Sequence, residues 1–257
     1  MNKELPDSLQ CSVIEIGRKG SWQVSGFPRF LEKNTIHVWS ARYEDLDCHF
    51  TSLSNVISTD QKNIAFTFRT SDNAKKYVLR HGLVRSILGR YIRHNPETVA
   101  FFTGRNGKPE LDLQGSYADI SFNLSHTSDM VLIGVTWQRR IGVDIVRMNL
   151  AYRFDDTAGY MLTPAEQAIL KKTAPDLRYE VFFRMWAAKE AILKATGGTL
   201  TLMKKTDLSD IFEDGGYSPE YSMNYLDSQP PFFLWQFMVG SRHRGAVAVD
   251  AGNARYQ

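Results

Sequence analysis

The most constraining feature of this sequence is an order of elements that occurs twice: a helical segment followed by two strand-like segments. The helical segments are residues 73–92 and about 181–196. The strand-like segments that follow them are, in order, residues 120–125, 130–137, 232–239 and 246–251. Because apolar spacing near 3.6 indicates helix and alternation indicates strand, the pattern predicts an α+β fold. We expect two similar lobes in one chain, related by a pseudo-twofold axis, each a helix packed on a small antiparallel sheet.

The boundary between these lobes is predicted near Arg139, where the first hairpin ends and a short strand, residues 141–145, begins. This gives an N-terminal lobe of residues 1–139 and a C-terminal lobe of residues 140–257 that carries the candidate metal-binding acids. Proline- and serine-rich linker sequence is missing at this point, so we expect the lobes to pack tightly.

Two local signals mark helix ends in the second half. Thr163, Pro164 and Glu166 form a capping box with proline at the first helical position, which predicts a helix start. Gly197 and Gly198 predict the end of the following helix, because glycine readily takes the left-handed conformation that closes a helix.

Composition excludes several classes of protein. The 257 residues are 43% hydrophobic and 23% charged, as in an ordinary globular protein. Cys11 and Cys48 are too few for a disulfide framework, and long apolar stretches are missing, so we expect a cytoplasmic protein that does not enter membranes. The net charge of +3 is a weak positive bias, and the sequence lacks arginine-rich tracts that would favour nucleic-acid binding. P-loop, dinucleotide-binding, nucleophile-elbow and zinc-helix motifs are also missing.

Asp144 is an acid within an otherwise apolar strand, residues 141–145. Strand alternation places it on the face opposite the three β-branched residues of that segment. A buried carboxylate needs a cation, backbone donors or a metal ion. An acid that only accepts backbone hydrogen bonds at a strand end is an equally common explanation of this segment alone.

Trp186, Glu190 and Lys194 are spaced four apart, so they form a line along one face of the second-half helix, with Lys189 beside it. A structural explanation is an aromatic anchor followed by an exposed ion pair. The functional alternative is that Glu190 holds Mg²⁺, which prefers oxygen ligands, while Lys189 and Lys194 neutralise phosphate oxygens.

Polar residues elsewhere are weaker candidates. Ser125 and His126 follow a strand and could donate hydrogen bonds to a phosphate. Lys108 lies in a tight turn, and Lys76 lies on the first-half helix along with Arg80 and Arg85. Taken alone, a histidine at a strand end is more often a structural hydrogen-bonding group, and most surface lysines and arginines have no specific role.

Four short motifs in order resemble the 4'-phosphopantetheinyl transferase superfamily. They are GKP at 107–109, FNLSH at 122–126, GVDI at 142–145 and WAAKEAILK at 186–194. The sequence is most similar to the larger, single-chain type that activates surfactin synthetase and similar assembly lines. The resemblance implies that a monomer binds coenzyme A between two lobes. It implies transfer of the 4'-phosphopantetheine arm to a serine of an apo acyl or peptidyl carrier protein, with release of 3',5'-ADP.

The resemblance also implies roles for individual residues. Asp144 and Glu190 would hold Mg²⁺ at the coenzyme diphosphate. The residues that would contact the coenzyme are Lys76, Lys108, Ser125, His126, Lys189 and Lys194. A base must remove the serine proton, which the family assigns to a metal-bound water or a carboxylate, so Glu190, Lys194 and Glu166 are the predicted catalytic residues. Glu166 already has a structural explanation in its capping box.

Two positions depart from the family pattern. Many relatives carry a second acid two residues after the metal-binding aspartate, whereas this chain has Val146. The basic residue often found at the start of the first-half helix is replaced by Asn73, which weakens the assignment of Lys76. Val146 keeps open the alternative of a catalytically silent relative that binds coenzyme A or a carrier protein.

Overall fold

The computed structural model describes residues 9–17, 31–32, 34–104, 107–112, 119–149, 151–213, 220–223 and 231–251. Its strands are β1 (Gln10–Ile16), β2 (Thr35–Arg42), β3 (Ala100–Thr103), β4 (Pro109–Asp112), β5 (Ile120–His126), β6 (Met130–Trp137), β7 (Ile141–Arg147), β8 (Glu220–Met223), β9 (Phe232–Val239) and β10 (His243–Asp250). Its α-helices are α1 (Tyr43–Leu46), α2 (Phe50–Val56), α3 (Thr59–Phe66), α4 (Ser71–Ile92), α5 (Phe154–Met161), α6 (Pro164–Lys172), α7 (Arg178–Thr196) and α8 (Ser209–Glu213). Short 3-10 helices span Asp47–His49, Pro96–Thr98 and Leu200–Lys205.

The strands form two four-stranded sheets and one small hairpin. The first sheet has the order β1-β2-β6-β5, the second has the order β7-β10-β9-β8, and β3 pairs with β4. All strand pairs are antiparallel except β1 with β2, which makes the first sheet mixed. The predicted α+β fold with one helix on each small sheet is confirmed, and the parallel edge strand β1 is an addition to it.

The two halves share a topology. In the first, β2 pairs with the second strand of the β5–β6 hairpin and α4 lies between them in sequence. In the second, β7 pairs with the second strand of the β9–β10 hairpin and α7 lies between them in sequence. The repeated helix-then-hairpin order in the sequence therefore corresponds to a repeated spatial arrangement.

Each long helix covers its own sheet with an apolar face. Leu79, Leu83 and Ile87 of α4 are almost fully buried against the first sheet, as their helical spacing predicts. Phe182 and Ile192 of α7 belong to a second core that also contains side chains of β9 and β10. Burial of these faces supplies most of the stability of such helices.

A third core joins the two halves. It combines side chains of β2 and β6, such as Val38 and Leu132, with side chains of β7, β9 and β10, such as Val143 and Val247. Because side chains from both sheets meet in one apolar cluster, the two halves form one packed body.

The local helix signals act as predicted. The Thr163 side chain accepts a hydrogen bond from the Glu166 amide, and the Glu166 side chain accepts one from the Thr163 amide. The helix α7 ends at Gly197, whose φ of 67° is in the left-handed region. The short helices α1 to α3 and α5 and the strand β1 were not predicted, although Ser58 and Gln61 form a second capping box that marks the start of α3. Within the described residues, no helix is both long and apolar enough to cross a membrane.

Candidate active site

The strand β7 and the helix α7 are in direct backbone contact. A Cβ atom on Gly142 would lie 2.0 Å from the Ala191 carbonyl oxygen and 2.3 Å from the Ala195 amide nitrogen. Only glycine fits at this position, and its place in the GVDI segment therefore has a steric reason. The close approach brings the side chain of Asp144 on β7 next to the side chains of the last turns of α7.

Asp144, Ser125 and Lys194 form a hydrogen-bonded triangle where the two halves meet. The Lys194 ammonium lies 2.6 Å from Asp144 Oδ1 and donates to Ser125 Oγ over 2.9 Å. Ser125 in turn donates to the same Asp144 oxygen over 2.8 Å. Asp144 is 5% exposed, whereas the Lys194 side chain is 29% exposed. The triangle thus connects a buried acid to a cation that reaches the surface.

The face of α7 formed by Trp186, Glu190 and Lys194 is less buried than the rest of this part of the helix. Within residues 182–195, Trp186, Glu190 and Lys194 are the residues that are not fully buried. Burial raises the pKa of Glu190, the nearby charge of Asp144 raises it further, and Lys194 opposes both effects. The carboxylates of Asp144 and Glu190 are therefore close enough to interact electrostatically, and their joint binding of a metal stays a prediction.

One oxygen of this acidic pair has no hydrogen-bond partner among the residues that the structure describes. Asp144 Oδ2 is buried and accepts no hydrogen bond from the described residues. An unsatisfied buried carboxylate oxygen is costly, so it fits a site that accepts a cation. Across the described part of the chain, no cluster of three or more His, Cys, Asp or Glu residues suits a metal ion. A cation here would take two carboxylates from the protein and other oxygens from water or a ligand, which suits Mg²⁺.

His126 ends β5 at the rim of this site. Partial burial lowers the pKa of His126, and the positive charge of Arg80 lowers it further. A hydrogen bond with the Thr127 backbone opposes this change, Lys194 adds a smaller lowering, and the charge of Asp144 raises the pKa slightly. Arg80 also donates to the Tyr43 hydroxyl over 3.3 Å. His126 and Arg80 thus bring donors from the first half towards Lys194 of the second half, a combination that suits phosphate oxygens.

Lys76 lies one helical turn before Arg80 and lines a polar cleft of about 390 Å³. Its ammonium pairs with Asp72 at 2.6 Å and lies 5.9 Å from the Tyr43 ring. The cleft lies between the halves, since its lining also includes Arg242 from the β9–β10 turn. Lys76 is thus in a cleft between the halves, but its described ion pair is with a residue of its own helix.

A second, less polar depression adjoins this cleft. It has a volume of about 880 Å³, shares Ser128 and Arg242 with the first, and is lined by Val146, Trp186 and other apolar side chains. Val146, the position at which the family resemblance implied a second acid, therefore faces this depression.

The Lys108 ammonium makes hydrogen bonds within the protein. It donates to the main-chain carbonyls of Ile141 over 2.9 Å and of Lys194 over 3.1 Å. These bonds attach the turn before β4 to the start of β7 and the last turn of α7. These contacts of Lys108 join segments of the protein, and its contact with the coenzyme stays a prediction.

The structure corrects the predicted roles of Lys189 and Glu166. Both side chains are 0% exposed and form an ion pair with each other. Lys189 also donates to the Thr206 carbonyl, and Glu166 accepts from the amides of Thr163 and Leu208. At 3.6 residues per turn, Lys189 lies on a different face of α7 from Glu190 and Lys194. Because the Lys189 and Glu166 side chains are both fully buried, neither reaches the cleft.

Two residues near the site were not assigned from sequence. Asn123 Oδ1 accepts the Val143 amide over 2.9 Å and so helps to hold β7 beside β5. Arg80 was noted only as one of several basic residues on its helix. Its position four residues after Lys76 was the available signal, because that spacing places both on one face of α4.

Comparison with known proteins agrees with this geometry. A family model described as the 4'-phosphopantetheinyl transferase superfamily matches residues 140–248. A second, described as the N-terminal part of 4'-phosphopantetheinyl transferase, matches residues 39–138.

Among curated proteins, the chain is 27% identical to the 4'-phosphopantetheinyl transferase HetI of Nostoc sp. over 179 residues, 70% of this chain and 76% of HetI. It is 28% identical to the 4'-phosphopantetheinyl transferase psf-1 of Bacillus pumilus over 205 residues, 77% of this chain and 80% of the relative. It is 25% identical to the 4'-phosphopantetheinyl transferase Sfp of Bacillus subtilis (strain 168) over 198 residues, 75% of this chain and 82% of Sfp. The chain belongs to the 4'-phosphopantetheinyl transferase superfamily, as a larger, single-chain member.

Proposed function

We propose that this protein transfers the 4'-phosphopantetheine arm of coenzyme A to a serine of an apo acyl or peptidyl carrier protein. The observation that carries the proposal is the buried Asp144, which is bonded to Ser125 and Lys194 through one oxygen while its other oxygen accepts no hydrogen bond from the described residues. Family membership supports the same reaction.

We propose that Asp144 and Glu190 hold Mg²⁺. Both are carboxylates, they interact electrostatically, and the unpartnered Asp144 oxygen is available to a cation. When bound, Mg²⁺ stabilises the negative charge that develops on the diphosphate during phosphoryl transfer. With Val146 in place of a second strand acid, the protein supplies few ligands, so we expect a metal that is easily removed by chelators.

In the proposed reaction, the carrier serine oxygen forms a bond to the phosphorus attached to pantetheine. The bond from that phosphorus to the bridging oxygen breaks, and 3',5'-ADP leaves with the electron pair. In this proposal Lys194 stabilises the diphosphate oxygens, and Ser125, His126 and Arg80 bind phosphate groups of the nucleotide. The serine proton passes to Glu190 or to solvent water. Glu166 takes no part in this step, since it is fully buried in its ion pair.

We further propose that the protein works as a cytoplasmic monomer. The side chains of the proposed site come from both halves of one chain, so a second copy is not needed to complete it. Within the described residues, neither Cys11 nor Cys48 forms a disulfide, which suits a reducing compartment.

The decisive experiment incubates the protein with coenzyme A, Mg²⁺ and each of several apo carrier proteins from fatty-acid, polyketide and nonribosomal-peptide pathways. Intact-protein mass spectrometry then weighs each carrier. We expect at least one carrier to gain the mass of phosphopantetheine, and the gain to disappear when EDTA is added. Binding of coenzyme A or carrier without added mass on any of them would instead indicate the catalytically silent alternative.

A further inference from the structure

The edge of β7 that faces the first half is completed by side chains instead of a neighbouring strand. Ser125 Oγ accepts the Ile145 amide over 3.3 Å, and Asn123 Oδ1 accepts the Val143 amide over 2.9 Å. The Lys108 ammonium donates to the Ile141 carbonyl over 2.9 Å. Residues 141, 143 and 145 alternate along the strand, so their backbone groups point to the same edge. Three first-half side chains therefore set where β7 lies.

Ser125 also bonds α7, through the Lys194 side chain, whereas Lys108 bonds the main chain of that helix. Its second bond, over 3.1 Å, is to the carbonyl of Lys194 in the last turn of that helix. Carbonyls in a last turn have no partner within their own helix, and the negative end of the helix dipole favours a cation there. One ammonium group thus joins the start of β7, the end of α7 and the turn before β4.

The two elements that Lys108 joins carry the proposed catalytic groups. Asp144 is on β7, and Glu190 and Lys194 are on α7, where the Lys194 ammonium lies 2.6 Å from Asp144. The backbones of these elements touch at Gly142, so a small displacement of α7 changes the spacing of the acids directly. Catalytic geometry of this kind is sensitive to shifts of a fraction of an ångström.

We propose that Lys108 is a positioning residue, which sets the distance between Asp144 and the Glu190–Lys194 face of α7 and does not bind the coenzyme. This inference rests on the proposed function, because it assigns Lys108 to the geometry of that same site. The lysine of the GKP segment then has a reason for its place in the turn: from there its ammonium reaches two carbonyls of the second half.

The test compares wild-type protein with Lys108→Met, which keeps the apolar stem and removes the ammonium, and with Lys172→Met, an exposed lysine at the end of α6. Kinetic constants are measured against coenzyme A and against Mg²⁺ with a carrier that the wild type modifies. Binding of Mg²⁺ to the coenzyme-free protein is measured by calorimetry. For Lys108→Met we expect kcat to fall about tenfold, Mg²⁺ to bind several-fold more weakly, and KM for coenzyme A to stay within about twofold. Lys172→Met should match the wild type.

A Lys108→Met protein with a tenfold higher KM for coenzyme A and unchanged Mg²⁺ binding would overturn the inference in favour of a direct coenzyme contact. Unchanged constants throughout would overturn it as well. If Lys108→Met does not fold, Lys108→Arg decides: weaker Mg²⁺ binding at unchanged KM for coenzyme A supports positioning, and unchanged Mg²⁺ binding overturns it. Calorimetry needs no transfer reaction, so a wild type that modifies no carrier would count against the proposed function alone.

Discussion

Two lysines on α7, five residues apart in the same motif, have opposite surroundings. Lys194 is partly exposed and bonds Ser125 and Asp144 at the site between the halves. Lys189 is fully buried and pairs with Glu166 on the far side of the helix. At 3.6 residues per turn, five residues separate two side chains by about 140° around the axis. A motif written as a line of letters thus contains both a site residue and a structural residue.

Burial determines whether each lysine contributes to the packing of the fold or to the site between the halves. Burial lowers the pKa of Lys189, and the charge of Glu166 opposes that change. The buried pair is satisfied by the Thr206 carbonyl and by two amides, so it holds α6, α7 and the segment before α8 together. We therefore expect substitutions on the two sides of α7 to separate into losses of stability and losses of activity.

The largest effect should come from Lys189→Met. Removing one partner leaves the Glu166 charge buried without its cation, which typically costs about 3–5 kcal/mol. Urea unfolding followed by tryptophan fluorescence measures the change in free energy of unfolding. Lys189→Met combined with Glu166→Leu removes both charges and should recover part of that loss. If Lys189→Met is as stable as the wild type, Lys189 has no structural role that distinguishes it from Lys194.

The next effect should come from Glu190→Gln on the opposite face. It removes one proposed metal ligand, so we expect transfer to slow by at least about 10²–10³-fold with little change in unfolding free energy. Glu180→Gln is the matched control, since Glu180 lies in the first turn of the same helix and pairs with Arg244. Rapid transfer by Glu190→Gln, measured by the mass of the carrier, would show that the metal assignment is wrong.

A smaller gain should follow from Val146→Glu. Residue 146 is two positions after Asp144, and strand alternation places both on one face. An added carboxylate there should lower the Mg²⁺ concentration needed for half-maximal activity by about tenfold, because Mg²⁺ then has a further oxygen ligand. Val146→Gln is the control without charge. Equal Mg²⁺ dependence in the glutamate and wild-type proteins would place the cation out of reach of β7 residue 146.

The smallest effect concerns His81 of α4, a half-buried residue whose interacting charged neighbours are all basic. Burial, with Arg80, Arg85 and His126, lowers the pKa of His81 to about 3 from 6.5. The unfolded chain therefore binds a proton that the folded chain does not as the pH falls from 6.5 to about 3, so stability is lost over that range. The slope is at most about 1.4 kcal/mol per pH unit for one group.

His81→Gln should reduce this slope, as measured by the difference in unfolding free energy between variant and wild type at several pH values. Identical slopes would show that His81 is protonated in the folded state. His94→Gln is a control on a histidine outside this cluster.

Much of the architecture was readable from local patterns. The apolar spacing of α4, the short strand-like runs of β5, β6 and β9, and the capping box of α6 each depend on a few neighbouring residues, and each was predicted. The short helices α1 to α3 were missed because four to eight residues give too little periodicity to separate helix from loop. The parallel pairing of β1 was missed because it depends on a partner strand distant in sequence.

For the candidate site, the sequence by itself determined the chemical groups: an acid on an apolar strand, a Glu–Lys line on a helix, and a Ser–His pair at a strand end. These follow from residue type and from periods of 2 and 3.6, which are local properties. Only the tertiary structure decided which groups meet. It brought Ser125, Asp144 and Lys194 into one triangle, buried Lys189 with Glu166, and set Lys108 on two carbonyls, because contacts between distant segments depend on packing that no local pattern encodes.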